Sequence, residues 1–253
     1  MKADVTFART ADGANAAEIQ TKGINMANKK ENLQLKKEEL KAKYGEALVM
    51  GVSEELVNPL LKNIYTPKED VYYTSKGEDV TTKVPLVSAI NSQMVPRFRY
   101  EAELDPSFKQ VIPYVILRYQ DKVFCTHRLN GGDARLAGGY SIGTGGHIDD
   151  GENIYDGMYR ELKEEVGVTA NDIMGYSVNG FILDNSSAVN SVHLGVVVSM
   201  AIVRDDIQCL EKEKLAGEWL NYKQLKKLYD ADKLESWSKI VADHLLFGGG
   251  KNG

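Results

Sequence analysis

The sequence predicts an α/β fold in which helices cover both faces of a mixed sheet. Two strand patterns joined by Gln120-Asp121 predict a hairpin over residues 111–128. Residues 173–183 and 192–203 have the composition of two further long strands. Amphipathic helix patterns precede these strands and follow them at the end of the chain. This order of elements is typical of a sheet layered between helices.

The chain divides into four predicted parts. Its first part is polar and without periodicity, which predicts a mobile leader before a surface helix over residues 29–44. A compact main domain is expected where the strand and helix patterns are clear. The predicted parts are the leader and surface helix (1–45), a β-rich extension (46–109), the main domain (110–247) and a flexible tail (248–253).

The extension is predicted from short apolar segments separated by prolines. It begins with a buried strand at 47–52 and a short helix that Ser53 caps and Pro59 interrupts. Further strand-like segments are "VYYT" (71–74), "TTKVPLV" (81–87) and "RFRYEAEL" (97–104). In the main domain, "YSIGTGGHI" (140–148) is predicted to be a strand, and "WLNYKQLKKLYD" (219–230) and "LESWSKIVADHLLF" (234–247) to be helices.

Composition predicts a globular cytoplasmic protein without a general affinity for nucleic acid or membranes, and it leaves a small nucleotide open as a ligand. Hydrophobic residues make up 43% of the 253 residues, and the net charge is -5, so no general basic field attracts nucleic acid or an anionic membrane. Cys125 and Cys209 are isolated from each other and from any Cys/His motif, which favours a reducing compartment. No apolar run approaches the roughly 20 residues that span a bilayer, and the first residues lack the apolar segment of a secretory signal.

The most informative segment is a short helix that follows a glycine-rich loop. Asn153 is a suitable N-cap and Gly167 a suitable C′ residue, so the helix is predicted over about 154–166. Met158, Leu162 and Val166 recur at i, i+4 and i+8 and supply its buried face.

Three carboxylates crowd the end of this helix. Glu161, Glu164 and Glu165 share one face, where they repel one another and oppose the helix dipole. A divalent cation would reverse that balance, because Mg²⁺ prefers carboxylate, water and phosphate oxygens. The glycines of residues 143–146 allow a backbone carbonyl to approach the same ion. A solvated acidic face is the alternative for the triplet "KEE" taken alone.

The full spacing favours a site over a solvated face. Gly146 is followed after five residues by Glu152, and after seven more by "RELKEEVGV" (160–168). Seven fixed identities coincide by chance with a probability on the order of 10⁻⁸ per start position. The segment is identified as a complete Nudix box, and residues 110–247 resemble the Nudix (MutT-like) hydrolases. "GGDARLAGGYSIGTGGHI" (131–148) and "VHLG" (192–195) also resemble a subgroup of MutT-type phosphoesterases.

The resemblance implies a Nudix-type α/β/α sandwich, which in this chain would carry an N-terminal helix and a β-rich extension. It also implies that the protein hydrolyses a diphosphate linked to a group X and uses Mg²⁺ or Mn²⁺. Glu161 and Glu165 would be the main metal ligands, Glu164 a ligand or water-bridged partner, and the Gly145 carbonyl a further ligand. Structural roles are implied for four box residues. These are Gly146, Glu152, Arg160 and Gly167, with Arg160 pairing with Glu152 to brace the loop.

Other roles are less closely tied to the motif. The general base is expected to be Glu164, Glu165 or a glutamate of the later loop; the loop residues are Glu211, Glu213 and Glu218, of which Glu213 is favoured. Arg128 and Arg135 are the candidates to bind a terminal phosphate bidentately, and a surface role is the alternative for each. Three histidines have no metal-ligand spacing: His127, His147 and His193. His147 could contact phosphate or make a structural hydrogen bond, and Tyr140 and Phe181 could stack on a base or belong to the core.

Three functions stay open at the level of sequence. The first is hydrolysis of a nucleoside diphosphate derivative. The second keeps the chemistry but takes a non-nucleotide diphosphate, such as a sugar, isoprenoid or inositol diphosphate. The third is a nucleotide sensor without turnover, against which the intact box argues. A homodimer is common among Nudix proteins, although no interface is recognisable in the sequence.

Overall fold

A computed structural model describes residues 16–62, 67–68, 71–73, 80–129 and 139–243, with side chains over 28–59, 85–129 and 139–243. The chain forms two units, Met1–Ala47 and Leu48–Gly253. The first unit contains helix α1 (Ala16–Tyr44), which begins well before the predicted start at residue 29. It ends where Gly45 adopts a left-handed φ of 61°.

The second unit contains both helices and strands. Its elements are β1 (Leu48–Ser53), α2 (Glu54–Lys62), β2 (Pro67–Lys68), β3 (Val71–Tyr73), α3 (Val80–Gln93), β4 (Val95–Phe98), α4 (Arg99–Ala102), β5 (Phe108–Tyr119), β6 (Lys122–Arg128), β7 (Tyr140–Ser141), α5 (Ile154–Val166), β8 (Ile173–Asp184), β9 (His193–Ile202), β10 (Leu215–Asn221), α6 (Tyr222–Asp230) and α7 (Ser236–Val241). Within the described residues, no helix is both long and apolar enough to cross a membrane.

Ten strands of the described residues form one mixed sheet. Its main path runs β10-β6-β5-β9-β8-β3-β2, with β1 pairing with β4 and β5, and β7 pairing with β6. The β5–β9 pair is parallel, whereas β5–β6 is the antiparallel hairpin predicted from the sequence. Residues assigned to the N-terminal extension therefore add β1 and β4 to the sheet that carries β5.

Helices cover both faces of this sheet, as predicted. On one face, α3 and α5 bury Ile90 and Met158 against sheet residues such as Val115. On the other face, α6 and α7 bury side chains against a second apolar cluster. The members of that cluster include Ile116, Val197, Leu225 and Val241. The predicted α/β/α sandwich with a mixed sheet is confirmed.

Two predictions based on proline were wrong. Residues 81–87 were expected to form a strand but lie in α3, with Pro85 inside the helix. Likewise, α2 continues through Pro59 to Lys62. The helix interior loses a backbone hydrogen bond at each proline. Burial of Leu86 and neighbouring apolar residues of α3 in the core outweighs that loss. Of the third predicted segment, 97–104, only the start is a strand, because α4 begins at residue 99.

Two further boundaries differ from the prediction in the main domain. The expected strand over 140–148 is a strand only at Tyr140–Ser141, followed by a single bridge between Thr144 and Val115. The helix expected from residue 219 begins at Tyr222, because residues 215–221 pair with β6 as strand β10. Asn221 then caps α6 by accepting a hydrogen bond from the Gln224 backbone N–H (3.0 Å).

Candidate metal-binding active site

The carboxylate helix α5 has the predicted bounds, because its two ends are encoded locally. Asn153 Oδ1 accepts the backbone N–H of Asp156 (3.1 Å), and the Asp156 side chain returns to the Asn153 N–H. Gly167 ends the helix with a φ of 67°. Asn91 of α3 also stabilises the start of α5, because its Oδ1 accepts a hydrogen bond from the Ile154 N–H (2.9 Å).

The segment between β7 and α5, residues 142–153, is called the box loop here. Its glycines permit close backbone contacts that a side chain would prevent. A Cβ on Gly146 would lie 2.6 Å from the Glu161 carboxylate, and one on Gly145, whose φ is 147°, would lie 1.9 Å from the Pro113 carbonyl oxygen. The Gly145 N–H also donates to Glu165 Oε2 (3.2 Å). The loop backbone therefore lies directly against two of the three carboxylates.

Arg160 joins the box loop to the helix. Its Nε and Nη2 donate to the two carboxylate oxygens of Glu152 (2.8 and 2.9 Å), and Nη2 also donates to the His147 carbonyl (2.8 Å). Its Nη1 donates to Glu161 (2.8 Å) and Glu164 (3.3 Å). The hydrogen bonds from Arg160 hold the pKa of Glu152 below its usual range. Arg160 thus fixes the position of the loop and of Glu161 together.

Two of the helix carboxylates resist ionisation. Burial, followed by the neighbouring charge of Glu161, raises the pKa of Glu165 to about 7. Burial also raises the pKa of Glu161, although Arg160 opposes the effect. Glu164 differs, with 61% of its side chain exposed. When both are ionised, Glu161 and Glu165 therefore concentrate negative charge that a bound cation would stabilise.

A cleft of about 910 Å³ opens beside Glu165 and Gly145. Arg128, at the end of β6, lines this cleft, and its charge acts to lower the pKa of Glu165. Polar side chains lie among the apolar ones that line this cleft. The polar lining residues include Ser141, Ser186, Asn190, Lys233 and Ser236. Arg135, the other predicted phosphate ligand, lies outside the described residues.

The later acidic loop contributes one glutamate near the site. The charge of Glu211 acts to raise the pKa of Glu165. Leu210, which precedes Glu211, donates its N–H to the Glu165 carbonyl (2.8 Å). Glu213 is exposed and does not line the cleft, and Glu218 is an exposed residue of β10 opposite Cys125. The charge of Glu211 thus acts on the box helix, whereas the favoured Glu213 lies outside the cleft lining.

The predicted aromatic and histidine candidates separate into three environments. Phe181 is 1% exposed and belongs to the core. His127 lines the cleft and stacks on Tyr140, with ring centroids 5.0 Å apart. His147 and His193 face each other with their Nε2 atoms 3.3 Å apart. No sequence motif predicts this histidine pair, because its members lie on different elements far apart in the chain.

Comparisons with known proteins agree with this geometry. A sequence model of the NUDIX domain matches residues 109–241, more than half of the chain. The chain belongs to the Nudix hydrolase family. It is 30% identical over 205 residues to Protein YmaB of Bacillus subtilis (strain 168), covering 78% of this chain and 100% of YmaB. It is also similar to the crystal structure of Tm1382, a candidate Nudix hydrolase, with a TM-score of 0.63, 27% identity, and coverage of 79% of this chain and 98% of Tm1382.

Membership of the Nudix hydrolases relates the carboxylates of α5 to metal binding. The family hydrolyses nucleoside diphosphate derivatives and generally uses a divalent metal. The residues present fit such an ion, because two part-buried carboxylates face the loop and Gly146 leaves open the space against Glu161 that a Cβ would fill. Carboxylate oxygens of this kind suit hard cations.

Proposed function

We propose that this Nudix hydrolase cleaves a diphosphate linkage in a nucleoside diphosphate derivative and depends on Mg²⁺ or Mn²⁺. The observation that carries the proposal is the position of Glu165, part-buried beside Glu161, held by the Gly145 N–H and facing a cleft large enough for a nucleotide derivative. Net charge of -5 supports a small-molecule substrate rather than a nucleic-acid polymer.

The residues that would hold the ion are Glu161, Glu165 and the Gly145 carbonyl, with Glu164 as a direct or water-bridged partner. Bound there, it would orient a water molecule, lower its pKa and neutralise charge on the phosphoryl oxygens. The hard oxygen ligands favour Mg²⁺ or Mn²⁺ over softer metals.

The residues of the chain supply orientation and proton transfer. Arg160 holds Glu161 in place through a 2.8 Å hydrogen bond. Arg128 lines the same cleft as Glu165 and is proposed to pair with a phosphate of the substrate. The proton of the attacking water would pass to a carboxylate, for which the sequence favours Glu213 and proximity to Glu165 favours Glu211.

The cysteines support the cytoplasmic location that the sequence predicts. Cys125 and Cys209 are both buried and unbridged. Burial raises the pKa of the Cys125 thiol to about 12, so it is a poor nucleophile and fits a structural role. A homodimer stays a prediction.

A hydrolysis screen tests the proposal. The full chain with Mg²⁺ or Mn²⁺ should release a nucleoside monophosphate or phosphate product from at least one member of a nucleoside diphosphate panel. Glu165→Gln should lower that rate by about 100-fold or more, since it removes a metal ligand. Glu55→Gln, the same change at an exposed position of α2, should leave it unchanged.

Three results would contradict the proposal. The first is hydrolysis that persists unchanged in Glu165→Gln or in EDTA. The second is activity confined to sugar, isoprenoid or inositol diphosphates, without competition from plain nucleotides, which would establish the non-nucleotide alternative. The third is tight nucleotide binding without turnover, which would establish a sensor.

A further inference from the structure

Three potential metal ligands from distant parts of the chain meet beside the box loop. Glu103 follows α4, His147 lies in the box loop, and His193 begins β9. One donor atom from each lies within 4.8 Å of the other two. None of these residues belongs to the carboxylate set of the box helix, so the cluster is a separate feature of the fold.

The hydrogen bonds of His193 prepare it as a ligand. Its Nδ1 lies 2.7 Å from the Val189 carbonyl oxygen, which can only accept, so Nδ1 carries the proton. The neutral ring then presents a lone pair at Nε2, and this atom faces His147. A histidine that ligates a metal usually donates its other ring N–H to a carbonyl or carboxylate in this way.

The distance between the two histidines matches a shared metal. Two nitrogens bound at about 2.0–2.1 Å with a tetrahedral angle between them lie about 3.3–3.4 Å apart. The observed separation of the His147 and His193 Nε2 atoms is 3.3 Å. In the metal-free protein the same contact is satisfied by an N–H···N hydrogen bond from His147, whose proton a metal would displace.

A buried amide next to His193 in the sheet lacks hydrogen-bond partners among the described residues. Gln110 is 0% exposed, and neither its Nε2 nor its Oε1 has a hydrogen bond with the described residues. Gln110 is paired with His193 in the parallel β5–β9 register, so both side chains project from the same face of the sheet. Buried amides are rarely left without a partner. A water molecule in the coordination sphere of an adjacent metal would provide one.

We propose that Glu103, His147 and His193 form a second metal site, selective for Zn²⁺ or another late first-row transition metal, with water as the fourth ligand. Two imidazoles and one carboxylate suit such metals, whereas the all-oxygen carboxylate set of α5 suits Mg²⁺. The site ties α4 and β9 to the loop that carries the box glycines. The guanidinium of Arg99, which pairs with Glu103 (3.4 Å), opposes the cation, so the carboxylate must exchange partners on binding.

Metal titration tests this site without any substrate. The full chain, stripped with EDTA and dialysed, is titrated with Zn²⁺ against a coloured chelator in excess Mg²⁺. We expect one Zn²⁺ per chain that Mg²⁺ does not displace. His147→Ala and His193→Ala should each weaken this binding by about 100-fold or more. His127→Ala removes a histidine outside the cluster and should bind Zn²⁺ as the wild type does.

Two controls keep the outcome decisive. Glu165→Gln should retain the Zn²⁺, because this substitution alters only the carboxylate site. The proposal would be refuted if Glu165→Gln lost the Zn²⁺ while both histidine variants retained it. Absence of tight Zn²⁺ binding by the wild type would refute it as well. If an alanine variant fails to fold, the Co²⁺ spectrum of the wild type decides: intense tetrahedral bands support the site, and a weak octahedral spectrum overturns it. Neither result bears on the diphosphate screen.

Discussion

Replacing Glu165 by glutamine should stabilise the metal-free protein at alkaline pH. Burial and the charge of Glu161 raise the pKa of Glu165 from 4.5 to about 7. Keeping this carboxylate ionised in the folded state therefore costs roughly 3 kcal/mol. Glutamine keeps an oxygen that can accept the Gly145 N–H, which donates to Glu165 at 3.2 Å, but carries no charge.

The pH range in which this cost appears follows from the upward direction of the Glu165 pKa shift. Between about pH 4.5 and pH 7 the folded carboxyl binds a proton that the unfolded one has released, so stability falls as pH rises. Above pH 7 both states are ionised and the whole cost is present. Glu165→Gln should thus exceed the wild type in free energy of unfolding by roughly 3 kcal/mol at pH 8, and by less than about 1 kcal/mol at pH 5.

Urea denaturation in EDTA, followed by circular dichroism at both pH values, measures this difference. The exposed control Glu55→Gln should match the wild type within about 0.5 kcal/mol. Added Mg²⁺ should stabilise the wild type and leave Glu165→Gln unaffected. The reasoning is refuted if Glu165→Gln is no more stable than the wild type at pH 8 without metal.

The remaining predictions concern the loop and the cleft. Gly145→Ala places a methyl group 1.9 Å from the Pro113 carbonyl at a left-handed φ, so thermal unfolding should show a loss of about 2–4 kcal/mol; an unchanged melting temperature would contradict the geometry. In Gly146→Ala the new methyl group instead lies 2.6 Å from the flexible end of Glu161. This variant should keep the fold but require about 10-fold more Mg²⁺ for half-maximal activity. An unchanged Mg²⁺ requirement would count against Glu161 as a ligand. Arg128→Ala should raise KM about 10-fold or more in steady-state kinetics, and an unaltered KM would exclude its phosphate contact.

Local signals account for the parts of the site that the sequence predicted well. The bounds of α5 follow from Asn153 and Gly167, which act on neighbouring backbone groups and need no distant partner. The pairing of Arg160 with Glu152 spans one loop and one helix turn, so the spacing of the box was enough to suggest it.

Contacts between distant segments account for what the sequence did not reveal. The histidine pair joins positions 147 and 193, and only the register of β9 beside β5 places His193 near the box loop. Residues 81–87 of α3 were predicted as a strand, since threonine and valine favour extended structure, whereas burial of Val87 and Ile90 in the core selects a helix. Tertiary packing of this kind leaves little trace in a single sequence.

The hydrogen bond from the first residue of α5 to Asn91 has a consequence for how the protein can be divided. Asn91 lies outside residues 109–241, the segment that matches the Nudix domain, as do β1 and the buried face of α3. Excising that segment would strip one face of the core of its cover and leave the Ile154 N–H without its acceptor. We expect the excised piece to bind ANS and to lack a cooperative thermal transition, as expanded states with loose packing do. We therefore expect the Nudix segment of this chain to need residues before position 109 to form a packed core.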